Sequence, residues 1–321
     1  MGFIGKRLSI TIITLFLVSV LTFAAFRFIP GDAALLALGT EATEEQIAAL
    51  RSELGLDKSY LQQYFSWLRR LFTGQLGNSA RFRGASISGM ILERLPVTFT
   101  LATLSLLLSV LIAVPVSLLS VKRENSIFAR FVTTLTALNI SIPGFFLGIL
   151  FIWIFGIIFQ LFVPGVYICY SENFLAFLGS LFFPALAIAL PNAALIVKFL
   201  RSSILREFHS DYARTAQSKG GSRSFVLRRH VFKNASLPSI TLLGMIIGEI
   251  FSGSIVIEQV FGIPGIGRLL LTSITARDYV MIETLMIYIA FVVILANTLA
   301  DIVLQIVDPR IRDVMHPGKK P

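Results

Sequence analysis

The sequence predicts an all-α integral membrane protein with six transmembrane helices and a polar helical insertion on the outer side, between the first two spans. Three observations carry that reading. Of 321 residues, 55% are hydrophobic and only 14% charged, with a mean hydropathy of +0.80, whereas soluble domains carry about 25% charged residues. Apolar runs recur that match the roughly 20 residues needed to cross a hydrocarbon core. Lys and Arg concentrate in alternate connecting loops, the bias that holds a loop on the cytoplasmic side.

Composition also narrows the partners. A net charge of +10 would suit nucleic acid, but the basic residues lie between apolar runs and no finger, basic zipper or stacking motif accompanies them. The lipid bilayer is therefore expected as a partner and nucleic acid is not. Cys169 is the single cysteine, which leaves neither an intrachain disulfide framework nor a cysteine metal site.

The first span lies within residues 1–29, where Leu8 to Phe26 follows Lys6-Arg7 and exceeds the roughly 7 to 15 apolar residues of a signal core. Residues 30–94 form an extracytoplasmic amphipathic helical region. Thr43 and Gln46 have capping-box spacing, with Ile47, Leu50 and Leu54 following before Gly55. A second helix starts near Asp57 or Ser59, carries Leu61, Tyr64, Phe65, Leu68, Leu71 and Phe72 on one side, and stops at Gly74. Packing on the outer ends of the spans is the leading role for this pair, and docking a soluble binding protein is the second.

Residues 95–307 hold the remaining spans. Pro96 to Val121 is the second, with a kink expected at Pro115. Lys122, Arg123 and Arg130 place the next turn inside. Phe131 to Val163 is too long for one straight crossing, and Ser141-Ile142-Pro143-Gly144 interrupts it, giving a broken third span behind a short interfacial piece. The loop from Pro164 to Phe177 has Glu172 and no Lys or Arg, so it faces outward. Leu178 to Leu200 crosses back, interrupted by Pro184 and Pro191-Asn192. Ser239 to Val256 is the fifth span. Glu258 to Tyr279, rich in glycine, is an outer or re-entrant turn; Arg268 and Arg277 make it the exception to the charge bias. Val280 to Val307 is the last span, and Arg310, Arg312, Lys319 and Lys320 hold the tail 308–321 inside, so both termini are cytoplasmic.

The basic loop 201–237 is the most informative stretch. Asp211 can cap a short helix from about Tyr212 to Lys219, and Gly220-Gly221 supplies the left-handed turn that ends it. Ala213, Ala216 and Gly220 fall on one face, where another protein's surface can approach. Phe225 to Asn234 reads as a second, basic helix. Simple anchoring at the anionic inner leaflet, at about 1 kcal/mol per basic residue, explains the charge but not the ordered helix, turn and small-residue face. Docking into a partner's groove explains all three.

No G-x-x-x-x-G-K-[ST] loop occurs, so nothing cradles a nucleotide triphosphate. His209, His230 and His316 lack zinc-protease spacing and lie in cytoplasmic stretches. No catalytic residue is expected and the chain is not read as an enzyme. Within the spans, Asn192, Glu249, Ser252 and Ser254 are candidates for lining a translocation path. A carboxylate in mid-membrane costs several kcal/mol when unpaired, so Glu249 and Asp301 face protein or water, as pathway groups that attract a cationic amine or as interhelical glue. Asn139, Asn192 and Asn297 fit the glue role, and Gly244, Gly248 and Gly253 fit close helix packing.

The runs YARTAQSKG and RRHVFKNASLP resemble the cytoplasmic coupling loop of ABC-transporter permeases, in the dipeptide, oligopeptide and nickel importer branch. IEQVFGIPGIGRLL, from Ile257 to Leu270, and Asp308-Pro309-Arg310 are similar to the same branch, and the likeness covers nearly the whole chain. The chain departs from the broader importer signature, since Arg214-Thr215-Ala216 stands where Glu-Ala-Ala would. The resemblance implies a type I ABC importer permease in which Asp211, Tyr212, Ala213, Arg214, Thr215, Ala216, Lys219, Gly220, Arg228 and His230 form the ATPase-coupling loop. Tyr212, Ala213, Ala216 and Gly220 would shape the contact, and Arg214, Lys219 and Arg228 would supply its polar part. It further implies a second homologous permease, two ATP-binding-cassette subunits that hydrolyse ATP with Mg, and an extracytoplasmic substrate-binding protein, in an inner membrane. The chain itself would bind no cofactor or metal. Short peptides lead as substrate; nickel and other small solutes stay open. An ion-coupled secondary transporter using Glu249 and Asp301 is the alternative of another class.

Overall fold

The computed structural model describes residues 3–28, 43–55, 57–79, 81–82 and 84–307. The Asp308-Pro309-Arg310 run, the tail 308–321 and residues 30–42 of the outer region lie outside the described residues. In chain order the helices are α1 (Phe3–Phe28), α2 (Glu44–Leu54), α3 (Tyr60–Thr73), α4 (Ile87–Lys122), α5 (Ile127–Ser141) and α6 (Gly144–Ile158). They continue as α7 (Phe174–Phe208), α8 (Asp211–Ser218), α9 (residues 223–235), α10 (Leu237–Phe261), α11 (Ile266–Ala276) and α12 (Tyr279–Val307). Five of the described helices are long and apolar enough to cross a membrane, and α5 with α6, bent by 102° at their junction, makes a sixth crossing if taken as one span. The break falls at Ile142-Pro143, where the ring of Pro143 cannot continue a helix.

Two compact units divide the chain: Met1–Thr98 with Pro264–Ile294, and Phe99–Ile263 with Leu295–Pro321. In the first, Thr43 and Gln46 close a full capping box on α2, and Ser59 caps α3, which stops at left-handed Gly74. α3 buries Tyr64 and Trp67 against Phe23 of α1, with Tyr64 set edge-on to Phe23 at 5.3 Å and Leu68 and Leu71 packed beside them, whereas Leu61, Phe65 and Phe72 of the expected apolar side are exposed. Ser19 of α1 and the Tyr64 hydroxyl share a hydrogen bond of 2.8 Å, and Arg27 donates to Gln63 at 3.0 Å. A second cluster joins Ile87 and Ile91 of α4 to Ile266 and Leu269 of α11 and Met281 and Leu285 of α12. Ser79 donates to the Asp278 carboxylate, whose other oxygen caps α12 at the Met281 amide, 3.1 Å away.

In the second unit α5, α6 and α10 all pack on α7, the central helix. Three sequence expectations need correction. The run with Pro184 and Pro191 is not interrupted: α7 is one helix of 35 residues. A proline removes one helical hydrogen bond, which neighbours can offset inside a membrane. Packing on α5, α6 and α10 holds the helix through both prolines, and close to Pro191 Asn192 Nδ2 donates to the Ile188 carbonyl at 2.9 Å and Ser109 of α4 to the Ala189 carbonyl at 3.2 Å. The second span begins at Ile87 rather than Pro96, because Pro96 sits inside a helix that already starts in the polar segment. The glycine-rich stretch is largely helical as α11: among its glycines only Gly262 has a positive φ, at 71°, and the apolar side of α11 finds a buried cluster.

Candidate functional site

The basic loop folds into a knob in the second unit. α7 runs on to Phe208, and the chain reverses through His209 and Ser210 into α8. Ser210 holds the N-cap position with extended backbone, φ −73° and ψ 155°. Asp211, expected as the cap, is instead the first residue of the helix. Its carboxylate still suits the positive end of the helix dipole. The Ser210 hydroxyl turns back to donate to the Glu207 carbonyl at 2.6 Å, and the Tyr212 hydroxyl donates to the Glu207 carboxylate at 2.6 Å. Burial first, and this bond second, raise the Tyr212 phenol above its usual range.

α8 ends at Lys219, and the two following glycines are needed for different reasons. Gly220 has φ +85°, a backbone that side-chain-bearing residues rarely adopt. Gly221 is needed for space: a Cβ there would lie 2.8 Å from the Ala216 carbonyl oxygen, which accepts the Gly221 amide at 3.2 Å. Ser222 then caps α9 at the Phe225 amide. The expected second helix is present, but its middle, Leu227–Val231, widens to a π-helical turn. That turn keeps Val226, Leu227, Val231 and Ala235 all buried.

The face of Ala213 and Ala216 does not look outward. Ala213 is completely buried, and Ala216 packs against the same cluster, formed by Val121, Leu200, Ile204, Phe208, Val226, Leu227, Val231 and Ala235. The small side chains let α8 come close to its own base, so the surface proposed for a partner is occupied by this chain. Each fully buried Val, Leu or Ile contributes about 1.5–3 kcal/mol, which makes the knob a fixed body. Arg223 adds a clamp: it pairs with Glu124 at 2.7 Å and lies 5.3 Å over the Phe208 ring. Both partners of that ion pair are partly exposed, at 50% and 34%, so its contribution is about 1 kcal/mol at most.

What the knob shows to solvent is mostly polar, with exposed Phe225 as the exception. Asp211, Tyr212, Arg214, Thr215, Lys219, Gly220, Arg228 and His230 are all exposed. The Thr215 hydroxyl is held by the Asp211 carbonyl at 2.8 Å, Arg228 donates to the Ser224 carbonyl at 3.4 Å, and His230 sets its ring against Phe225. Arg214, Gln217, Arg223, Glu124 and Phe208 help line a cleft of about 490 Å³. Glu207, Glu124, Phe208 and Arg223 complete the site and were not singled out in the sequence, and Gly221, expected only as part of the turn, belongs to it as well. The adjacent glycine pair was a signal for Gly221, whereas nothing local links Glu124 to Arg223, 99 positions apart.

The path candidates separate. Glu249 and Ser252 are exposed on α10, Ser254 is buried and donates to the Phe251 carbonyl of its own helix at 2.8 Å, and half-buried Asn192 donates from Nδ2 to the Ile188 carbonyl at 2.9 Å. Glu258 is completely buried. Glu249 and Ser252 are the exposed members of the four named groups. Among the described residues no group of three or more His, Cys, Asp and Glu side chains could hold a metal ion.

Residues 105–313 match the family model described as the binding-protein-dependent transport system inner membrane component, and residues 1–102 match its N-terminal membrane component. A putative peptide transport system permease protein of Brucella abortus (strain 2308) is 36% identical over 307 residues, covering 96% of this chain and 98% of the relative. A probable peptide ABC transporter permease protein of Sinorhizobium fredii is 33% identical over 97% of this chain and 99% of its own length. The dipeptide transport system permease protein DppB of Lactococcus lactis subsp. cremoris is 32% identical over the same shares, 97% and 99%. With both models matched and relatives aligned end to end above 30% identity, the chain belongs to the family of binding-protein-dependent transport system inner membrane components.

Proposed function

We propose that this chain is a permease subunit that carries short peptides inward across a bacterial inner membrane, driven by ATP hydrolysed with Mg on separate ATPase subunits. A second permease would complete the path, and an extracytoplasmic binding protein would deliver the cargo. The observation that carries the reading is the knob: a short helix fixed on its own spans by a fully apolar core, with a polar outer face. A rigid projection of this kind transmits motion, because displacing α8 must also displace α7 and α4, which share its core. The knob would be cytoplasmic, with both termini on that side, by the charge bias of the loops. The contact surface is then Tyr212, Arg214, Thr215, Lys219 and Arg228 rather than the alanine face. Peptide cargo is supported by the names of the full-length relatives.

A photo-crosslinker at exposed Thr215, in native membranes, tests the coupling role. Capture of a subunit bearing a G-x-x-x-x-G-K-[ST] loop is the expected outcome. Capture of none, together with uptake that follows a proton gradient and ignores ATP, would transfer the chain to the secondary transporters. Competition between labelled peptides and nickel in the same vesicles decides the cargo.

A further inference from the structure

Glu249 occupies the middle of the 25-residue helix α10, and its side chain is exposed on the surface of the second unit. Among the described residues it makes no hydrogen bond or ion pair. The exposed stripe around it reads Thr241, Met245, Glu249, Ser252 and Val256, one residue for each helical turn or so. Asn297 of α12 stands against the preceding residue, Gly248. A Cβ on Gly248 would lie 3.0 Å from Asn297 Oδ1 and 3.3 Å from Nδ2. The carboxamide thus rests on the α10 backbone at the residue next to Glu249. It too is exposed and without a hydrogen bond among the described residues.

Two polar groups from two helices, Glu249 on α10 and Asn297 against the residue before it, are costly against lipid tails and reasonable against water. Their chemistry is specific. A carboxylate only accepts, while a carboxamide offers one acceptor oxygen and two N–H donors. An ammonium group one residue from a carbonyl satisfies both: its N–H donors meet the Glu249 carboxylate and Asn297 Oδ1, and the carbonyl accepts from Asn297 Nδ2. We propose that Glu249 and Asn297 form a transit subsite for the N-terminal ammonium and first carbonyl of a peptide. The assignment rests on the peptide reading given above. A single fixed negative charge would also turn away anionic solutes.

The test uses the complete importer, reconstituted in proteoliposomes with its binding protein, in a Cys169→Ser background. Uptake of labelled di- and tripeptides sets the reference. Glu249→Cys is expected to lower uptake about tenfold, the effect of losing one charge-assisted hydrogen bond. Treatment with the anionic sulfonatoethyl methanethiosulfonate reagent should restore most of it, and the cationic aminoethyl reagent should not. Asn297→Ala should lower uptake by a smaller factor, about threefold, for a neutral hydrogen bond. A thiol unreactive to both reagents, or equal recovery with either, overturns the subsite. Loss of the second membrane subunit on purifying Glu249→Gln also overturns it, because the face would then be a contact between permeases. A reference importer that takes up no peptide removes the peptide reading and the subsite with it.

Discussion

Two short amphipathic helices, α3 outside the long spans and α8 in the knob, use the same local rules to opposite appearance. Both begin at a serine in extended backbone, and both finish at a glycine in the left-handed region, Gly74 and Gly220. α3 buries large residues, Tyr64 and Trp67, and stands off from α1 on a layer of aromatic rings. α8 buries alanines and lies close against aliphatic side chains. The inward face of a helix is thus marked by size only when there is room to fill. Where the backbone has to approach closely, the buried face is small, and it looks like an open contact surface in the sequence.

This contrast can be broken by substitution, and the largest effect belongs to the aromatic side. Trp67→Ala removes a ring that is only 6% exposed and should cost about 3–5 kcal/mol, read as accelerated hydrogen exchange across α3. Trp67→Phe should be far milder, since the indole N–H finds no acceptor among the described residues. On the knob the sign of the size change reverses. Ala213→Leu overpacks a site with no exposed surface and should cost about 1–3 kcal/mol, opening residues 209–222 to protease and slowing uptake. Unchanged protection there would mean that α8 is not seated on the core.

The two glycine turns sharpen the comparison further. Gly221→Ala drives a Cβ to 2.8 Å from backbone at Ala216, while Gly74→Ala meets nothing within 4 Å and suffers only from its φ of +70°. About 2 kcal/mol is expected for the first and about 1 kcal/mol for the second, measured as local protection against exchange. The smallest effect concerns Tyr212, which is 38% exposed. Its phenol is raised by burial and by the bond to Glu207, so the neutral form is favoured in the folded knob. That contribution is complete below the ordinary tyrosine value of about 10 and is lost as pH rises through the raised one. Weakened by solvent screening at this exposed position, it should vanish in Tyr212→Phe, seen as a flat alkaline limb in knob stability.

Local signals read well wherever a few neighbouring residues settle the structure. The capping box at Thr43, the stops at Gly74 and Gly220, and the break at Pro143 all depend on torsion and hydrogen bonding within one turn. Pro184 and Pro191 misled because packing against neighbouring helices outweighs the hydrogen bond that each proline removes. Helix α11 was missed because glycine density mimics a turn, although an apolar cluster from distant segments stabilises it.

The sequence by itself determined the class of the molecule, the count of apolar runs and the place of the basic knob, because hydropathy, charge and turn chemistry act over a few residues at a time. Only the tertiary structure decided which way the alanine face points, which arginine clamps Glu124, and that Asn297 lies against Gly248. Those relations join residues some 50 to 100 positions apart, and no local periodicity records where packing will bring such residues together.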